Sequence, residues 1–292
     1  MRHFGRAAER LGIGQSTLSQ AVAALEANAG AQLVERSTRH VVVTAVGRRL
    51  LEHARAAVAA ADAFAEEAAD AGGPLSGELR LGLIPTVAPY LLPALLSCAA
   101  REAPELRLAV HEEQTGPLVA ALRAGEVDAA VLALPLDHGD LRELPLYDEE
   151  LVVLVPAGHA WAGQDGLDPE VVGDAGLLLL ERGHCLRDQT LALCGERAAP
   201  GRGGGAAASA ISLPTIVQLV AGGLGVTVVP ATALRVEARR ARVAAARLAG
   251  DPPPGRRIGL AWRASSGADY AELAALLRRA VRSARLPVRA AG

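Results

Sequence analysis

The chain has 292 residues, enough for about two domains, and is 51% apolar but only 2% aromatic, so its core must be built from Leu, Val and Ala. All 30 of its basic side chains are arginine, no uncharged apolar window reaches the ~18 residues of a transmembrane helix, and the opening MRHFGRAAER has no apolar region of the kind a secretion signal needs. Three cysteines in a chain read as cytosolic argue against a structural disulfide framework. The net charge of −2 is unevenly placed: residues 1–50 hold seven Arg against Glu9, Glu26 and Glu35, a balance of +4, which leaves −6 for the rest. A basic N-terminal piece on an acidic body suggests a nucleic-acid module attached to something else.

In chain order, RAAER (6–10) runs into Leu11-Gly12, a helix stop, and Gln15-Ser16 opens a second helix, STLSQAVAALEANAG, which Ser16 can cap and Gly30 ends. Leu18, Val22 and Leu25 fall at i, i+4 and i+7 and predict one buried stripe. Turn-then-helix spacing fits a helix-turn-helix, whose second helix enters the major groove. Gln15, Ser16, Thr17, Ser19 and Gln20 are then short polar groups able to reach base edges or phosphates. LVERSTRHVVVTAVG follows as a β-wing, with Arg36 and Arg39 charging its tip for phosphate contact. The alternative is a pair of amphipathic helices with a solvated basic face. Residues 45–71 form one long helix, with Val46, Leu50, Ala54, Ala57, Ala61, Phe64 and Ala68 in a heptad-like seam suited to dimerisation. Gly72-Gly73-Pro74 marks a linker.

From residue 78 strand and helix alternate. Strands are predicted at 78–84, 106–112, 129–134, 151–156, 176–181, 225–230 and 258–263, and helices at 88–104, 116–128, about 184–195, 213–222 and 269–284. This is an α/β body with mostly parallel strands in two units, 77–148 and 149–255, the chain returning to the first at 256–290. The Gly/Ala-rich run 195–210 reads as a mobile loop. Ligands of such sheets bind at strand carboxyl ends and helix starts. Thr86, Thr115 and the pair His184-Cys185 all land there, which suggests one crevice, although each threonine alone would be read as a helix cap.

The stretch GHCLRDQTLALC (183–194) holds two of the three cysteines, nine positions apart. In a helix that separation is a rise of ~13.5 Å and a turn of ~900°, placing them on opposite faces. A disulfide needs Cα atoms within ~7 Å. The pair is therefore two unrelated core thiols or a switch that works by refolding. Cys185, in a first helical turn beside His184 and Arg187, has surroundings that favour a thiolate, the species that attacks peroxide. Cys194, among Leu191, Ala192 and Leu193, has none and resembles a resolving partner. Cys98 reads as a buried helix cysteine. No metal motif is present.

HFGRAAERLGIGQSTLSQAVAALE, LVERSTRHVVVTAVG and the long helix resemble the LysR-type transcriptional regulators. Within that family, GLIPTVAPYLLP, HEEQT, ERGHCLRDQTLALC, SLPTIVQLVAGGLGVTVVP and RRIGLAWR resemble the OxyR-type hydrogen-peroxide sensors. The resemblance spans nearly the whole chain. It implies a winged helix-turn-helix and linker domain over 1–73. It also implies a periplasmic-binding-protein-like redox-sensing domain over 74–292, made of two α/β subdomains. Cys185 is then the peroxidatic thiol and Cys194 its resolving partner; Thr86, Thr115 and His184 position peroxide, and Arg187 and Asp188 belong to the relay. Arg263 corresponds to an arginine of the family's last strand that holds the reduced thiolate. The implied partners are promoter DNA, hydrogen peroxide, RNA polymerase and further copies of the chain, in the cytoplasm, with no cofactor and no enzymatic turnover. The family carries a further helix before HFGRAAERL, from whose absence weak DNA binding is expected. Ser209 stands where an Arg is usual. The competing readings are a metabolite-responsive regulator with incidental cysteines and, in another class, a thiol peroxidase.

Overall fold

The computed structural model describes residues 4–36, 41–69, 75–136, 138–195, 209–210, 212–239 and 241–291. The chain divides into two compact units, Met1–Asp62 and Ala63–Gly292.

In the first unit, helix α1 (Phe4–Arg10) gives way at Gly12 to α2 (Gln15–Ala29). α2 ends at Gly30, whose φ of 62° is the left-handed conformation that closes a helix. Ser16 is not its cap: Gly14 holds that position and no side chain bonds the free amides. The expected buried stripe is also corrected. No residue of α2 is fully buried: Leu18 and Val22 are half-buried and Leu25 is 53% exposed, so the stripe is only partly covered among the described residues. Strand β1 (Val34–Arg36) pairs antiparallel with β2 (Val41–Val43), which is the expected wing. Its tip, with Arg39, lies outside the described residues. Glu26 Oε1 accepts hydrogen bonds from the Leu33 and Val34 amides at 2.8 and 3.0 Å, tying α2 to the wing. Thr44 Oγ1 accepts from the Gly47 amide at 2.9 Å and caps α3 (Ala45–Ala69). A side chain on Gly47 would meet the Leu33 carbonyl oxygen at 2.2 Å, so glycine lets wing and helix touch. The α3 seam is uncovered: Val46, Leu50, Ala54, Ala57, Ala61 and Phe64 are exposed, Phe64 at 77%. The Ala68 side chain and the Gly72–Pro74 linker lie outside the described residues.

The second unit begins with β3 (Gly77–Leu83), α4 (Ala88–Glu102), β4 (Leu106–Glu112), α5 (Thr115–Ala124) and β5 (Ala129–Leu134). A long strand, β6 (Leu141–Pro156), leads to α6 (Pro169–Asp174), β7 (Leu179–Leu180), α7 (Cys185–Cys194), β8 (Ser209–Ala210), α8 (Leu213–Ala221), β9 (Thr227–Pro230), α9 (Ala231–Glu237) and β10 (Val243–Arg247). Then come β11 (Gly255–Arg263), α10 (Ala271–Ser283) and β12 (Val288–Ala290). The main sheet runs β10-β6-β11-β5-β3-β4, with β9 and β12 also on β6.

The sheet is mixed, not mostly parallel. Among the described strands, β3 with β4 and β5, and the short β7 with β8, pair parallel; β6 and β11 run against their neighbours. The sequence reading began this strand at 151 and missed residues 141–150, where Arg142, Glu143, Pro145 and three successive carboxylates disguise a strand. It also missed β10, β12, α6 and α9. The run GLLLLE contributes only Leu179 and Leu180 as a strand, although Leu177 bridges to Val226. Most of the expected loop at 195–210 lies outside the described residues.

Two hydrophobic cores fill the unit. The first joins β3, α4, α5, β5, β11 and α10, with Leu81, Leu83, Leu91 and Leu95 fully buried, each contributing about 1.5–3 kcal/mol. The second joins α6, α7, α8, β9 and β10. Strand β6 feeds both, giving Leu146 and Tyr147 to the first and Leu151–Val155 to the second.

Candidate functional site

Helix α7 spans both cysteines, Cys185 at its first position and Cys194 at its last. Nine helical steps separate them by ~13.5 Å, as the spacing predicted. They belong to different cores: Cys185 is half-buried and packs against the first, while Cys194 is buried in the second. Burial alone pushes the Cys194 thiol up to about 11. Leu186 anchors the helix, 2% exposed, and Thr190 Oγ1 donates to the Leu186 carbonyl at 2.7 Å.

The start of α7 is fixed by its approach. Gly183 has φ +98°, a conformation side chains rarely adopt, and an added Cβ would lie 2.1 Å from Gln114 Oε1. Gln114 is the N-cap residue of α5, so the loop before Cys185 rests on the loop that presents Thr115. His184 is the N-cap residue of α7 and is buried, 4% exposed. Arg187 turns away: its guanidinium donates to the Leu180 carbonyl at 2.8 Å and pins α7 to β7. Asp188 is exposed in the first turn and is not brought to the buried groups.

Neither threonine caps its helix. Thr115 Oγ1 is buried with no hydrogen-bond partner among the described residues. Thr86, 2% exposed, accepts instead from a charge: Arg256 NH1 donates to its Oγ1 at 2.8 Å and NH2 to its carbonyl at 3.2 Å. Arg256 is itself buried and paired to Glu149, Nε to Oε1 at 2.8 Å, and Thr232 Oγ1 donates to the other carboxylate oxygen at 2.6 Å. Burial works against the guanidinium charge, but Glu149, and after it Cys185, outweigh burial and hold Arg256 above its ordinary range. Cys185 therefore lies within electrostatic reach of a buried cation. Beside this chain of contacts Tyr90 on α4 donates to Glu237 on α9 at 3.1 Å, both buried. Burial and Glu237 push the Tyr90 hydroxyl well up.

The arginine assignment is corrected. Arg263 ends β11, seven residues from Arg256 and so ~23 Å along the strand. Its NH1 donates to the Leu122 and Val127 carbonyls at 2.6 and 3.2 Å, closing the end of α5 rather than serving Cys185. Sequence reasoning missed Arg256, Glu149, Thr232, Tyr90 and Glu237. A signal existed for the first two. Arg256 is in phase with Ile258, Leu260 and Trp262, and Glu149 with Tyr147 and Leu151, so each charge falls on a buried face. The two also face each other across β11 and β6.

In the first unit, Gln15, Ser16, Thr17 and Gln20 are exposed at the start of α2, and Ser19 is half-buried. Arg36 closes β1; its side chain lies outside the described residues. Cys98 is buried in α4, in the first core, and donates to Glu102 Oε1 at 3.2 Å. Among the described residues no His/Cys/Asp/Glu group could hold a metal ion, and no helix is long and apolar enough to cross a membrane.

Two protein families match the chain. The bacterial regulatory helix-turn-helix domain of the lysR family covers residues 1–48, and the LysR substrate binding domain covers residues 72–282. A probable hydrogen peroxide-inducible genes activator of Mycobacterium avium is 50% identical, over 97% of this chain and 90% of that protein. A DNA-binding transcriptional dual regulator, OxyR, of Escherichia coli is 37% identical, over 95% and 90%. Among solved structures, a full-length cysteine-to-aspartate variant of OxyR from Pseudomonas aeruginosa has a TM-score of 0.76 at 36% identity, covering 100% of this chain and 94% of that one. A hydrogen peroxide-bound cysteine-to-serine mutant of OxyR from Corynebacterium glutamicum has a TM-score of 0.69 at 43% identity, covering 97% and 88%.

Proposed function

Because the chain belongs to the LysR family of transcription regulators, among its OxyR-type members, we propose that it is a DNA-binding regulator switched by hydrogen peroxide through Cys185 and Cys194. The observation that carries the reading is the start of α7. A half-buried thiol there has a buried arginine within electrostatic reach and a second cysteine at the other end of the same helix.

The chemistry runs in two steps. The Cys185 thiolate attacks one peroxide oxygen; an S–O bond forms, the O–O bond breaks, and the departing oxygen leaves as hydroxide and takes a proton to become water. Arg256 and Thr86 stabilise the charge that develops on the departing oxygen. The Thr86 oxygen already accepts from Arg256, so its own proton is left for an acceptor in the crevice. Thr115, with its unpartnered hydroxyl, and His184 orient the peroxide. Cys194 then attacks the sulfenic sulfur; an S–S bond forms and water leaves. Since α7 holds the two sulfurs apart, the second step requires the helix to unwind. Unwinding also releases the Cys194 thiol from the burial that keeps it protonated.

The resulting disulfide closes a short loop at the cost of helix bonds and the packing of Leu186, Leu191 and Leu193, so it is readily reduced by cytosolic thiols. The refolded segment changes the surfaces through which copies of the sensor domain (74–292) meet, and thereby promoter contact by the domain over 1–73. Within the sensor, 77–148 with 256–290 forms one subdomain and 149–255 the other. Gln15, Ser16, Thr17, Ser19 and Gln20 face the major groove, Arg36 and Arg39 the phosphates, and the α3 seam joins two copies. The site of action is the cytoplasm, RNA polymerase is a downstream partner, and there is no catalytic turnover.

The test is peptide mapping of the reduced chain after one equivalent of hydrogen peroxide. The reading expects a disulfide linking Cys185 to Cys194; Cys185 left reduced, or linked chiefly to Cys98, would end it.

A further inference from the structure

Thr86 and Arg256 can act on peroxide only if the guanidinium is held in one orientation. An arginine side chain has many rotamers, and this one lies where water cannot hold it, 5% exposed. Its fork is fixed by a single carboxylate. Glu149, 1% exposed, takes Nε at 2.8 Å and NH2 at 2.7 Å on Oε1, which leaves NH1 for the Thr86 hydroxyl. Oε2 is not spare: Thr232, 3% exposed, donates to it at 2.6 Å. The run Thr232–Glu149–Arg256–Thr86 is thus a continuous hydrogen-bonded chain whose every member is buried. It starts on α9 in the second core, crosses between the neighbouring strands β6 and β11, and ends at the start of α4.

We propose that Glu149, held in place by Thr232, is a positioning residue for the reaction of Cys185 with peroxide: it aims the Arg256 fork at Thr86 and does not itself touch the peroxide. The inference rests on the peroxide-sensing reading and deepens it. Burial of the ion pair alone would make Glu149 a structural residue. What separates the two roles is that only one end of Arg256 is consumed by the carboxylate, while the other carries the sole charged hydrogen bond given to the Thr86 hydroxyl among the described residues. Glu237, the other buried carboxylate of α9, is committed to Tyr90 on α4 and is not a substitute partner for the guanidinium.

The experiment uses the full chain, reduced, and follows Cys185 in its own peptide. Two rates are measured across pH: oxidation by hydrogen peroxide and alkylation by iodoacetamide. The alkylation plateau, where the thiol is fully ionised, reports access to the sulfur and does not need Thr86 or Arg256 in register. Glu149→Gln should lower the peroxide plateau by on the order of tenfold to a hundredfold, the size of effect a misplaced reacting group brings. Its alkylation plateau should move by less than about threefold. Thr232→Val should lower the peroxide rate in the same sense by a smaller factor, and Thr232→Ser, which restores the hydroxyl, should return it. If Glu149→Gln does not fold, the Thr232 pair carries the test by itself. Folded variants that oxidise at the wild-type rate, or whose two rates fall in parallel, would overturn the positioning role. A wild-type Cys185 no faster toward peroxide than free cysteine would instead remove the peroxide reading, and this inference with it.

Discussion

The two ends of α7 carry the same residue in opposite circumstances. Cys185 stands at the N-terminal end, half-buried against the first core, with a buried arginine in reach. Cys194 stands at the C-terminal end, sealed in the second core, with a thiol pushed up to about 11 by burial and no charged group contributing to the shift. A cysteine's chemistry is set by where the fold puts it rather than by its neighbours in sequence. On the proposed reading, one end of this helix is the attacking thiol and the other is held buried, so the buried end responds only once the helix gives way.

Removing the prepared end should have the largest effect. Cys185→Ser should abolish disulfide formation on peroxide treatment, whereas Cys194→Ser should leave a sulfenic acid at Cys185 that a 1,3-dione traps. Mass spectrometry of the 183–187 and 188–197 peptides separates the two. A Cys194→Ser chain that resists the 1,3-dione would mean that the ends do not differ as described. Next in size is the arginine contrast. Arg256→Ala strands the Glu149 carboxylate in the interior, and should cost about 3–5 kcal/mol and slow Cys185 oxidation. Arg263→Ala strands two carbonyls near the end of α5, and should cost about 1–3 kcal/mol while leaving the oxidation rate unchanged. Denaturant titrations and peroxide kinetics on both read this out, and equal slowing by the two variants would break the assignment.

Hydrogen exchange sharpens the comparison without mutation. Protection across α7 should drop on oxidation while the strands at 79–83 and 106–112 stay constant; equal protection of α7 with the disulfide in place would refute the unwinding. The smallest effect is a pH dependence. The Cys194 thiol titrates higher in the folded chain than in the unfolded one, so its contribution to stability is complete below about pH 9 and is lost as pH rises through about 11. The stability of the reduced wild type should decline in that window more steeply than that of Cys194→Ser.

Much of this was legible in the residues. The strands near 78–84, 106–112 and 129–134 and the helix from 185 announced themselves by apolar runs and by good helix formers between glycines. What failed did so for physical reasons. The first ten residues of β6 carry charges on both faces, Glu149 among the buried ones, and are paired by β11 and β12; a charged run with a proline imitates a loop. The α2 stripe has the right period, but a period says that a face is apolar and not that something covers it. The two threonines sit where caps sit, and only the third dimension reveals that one receives Arg256 and that the other has no hydroxyl partner among the described residues. Arg263 was preferred over Arg256 by resemblance, although alternation along RRIGLAWR placed Arg256 in phase with the buried face.

Strand β6 has one more consequence. It runs for sixteen residues, laced by β11 and β12 through its first part, with a register shift at Leu146, and by β9 and β10 through its second. A segment so paired is a beam common to both cores, which are thereby joined through continuous backbone and not only through loops. On the proposed reading, a chemical event at Cys185 is passed on through α7, the short helix that touches both cores. The proposed message would then be written in the local melting of α7, beside a strand that both cores share.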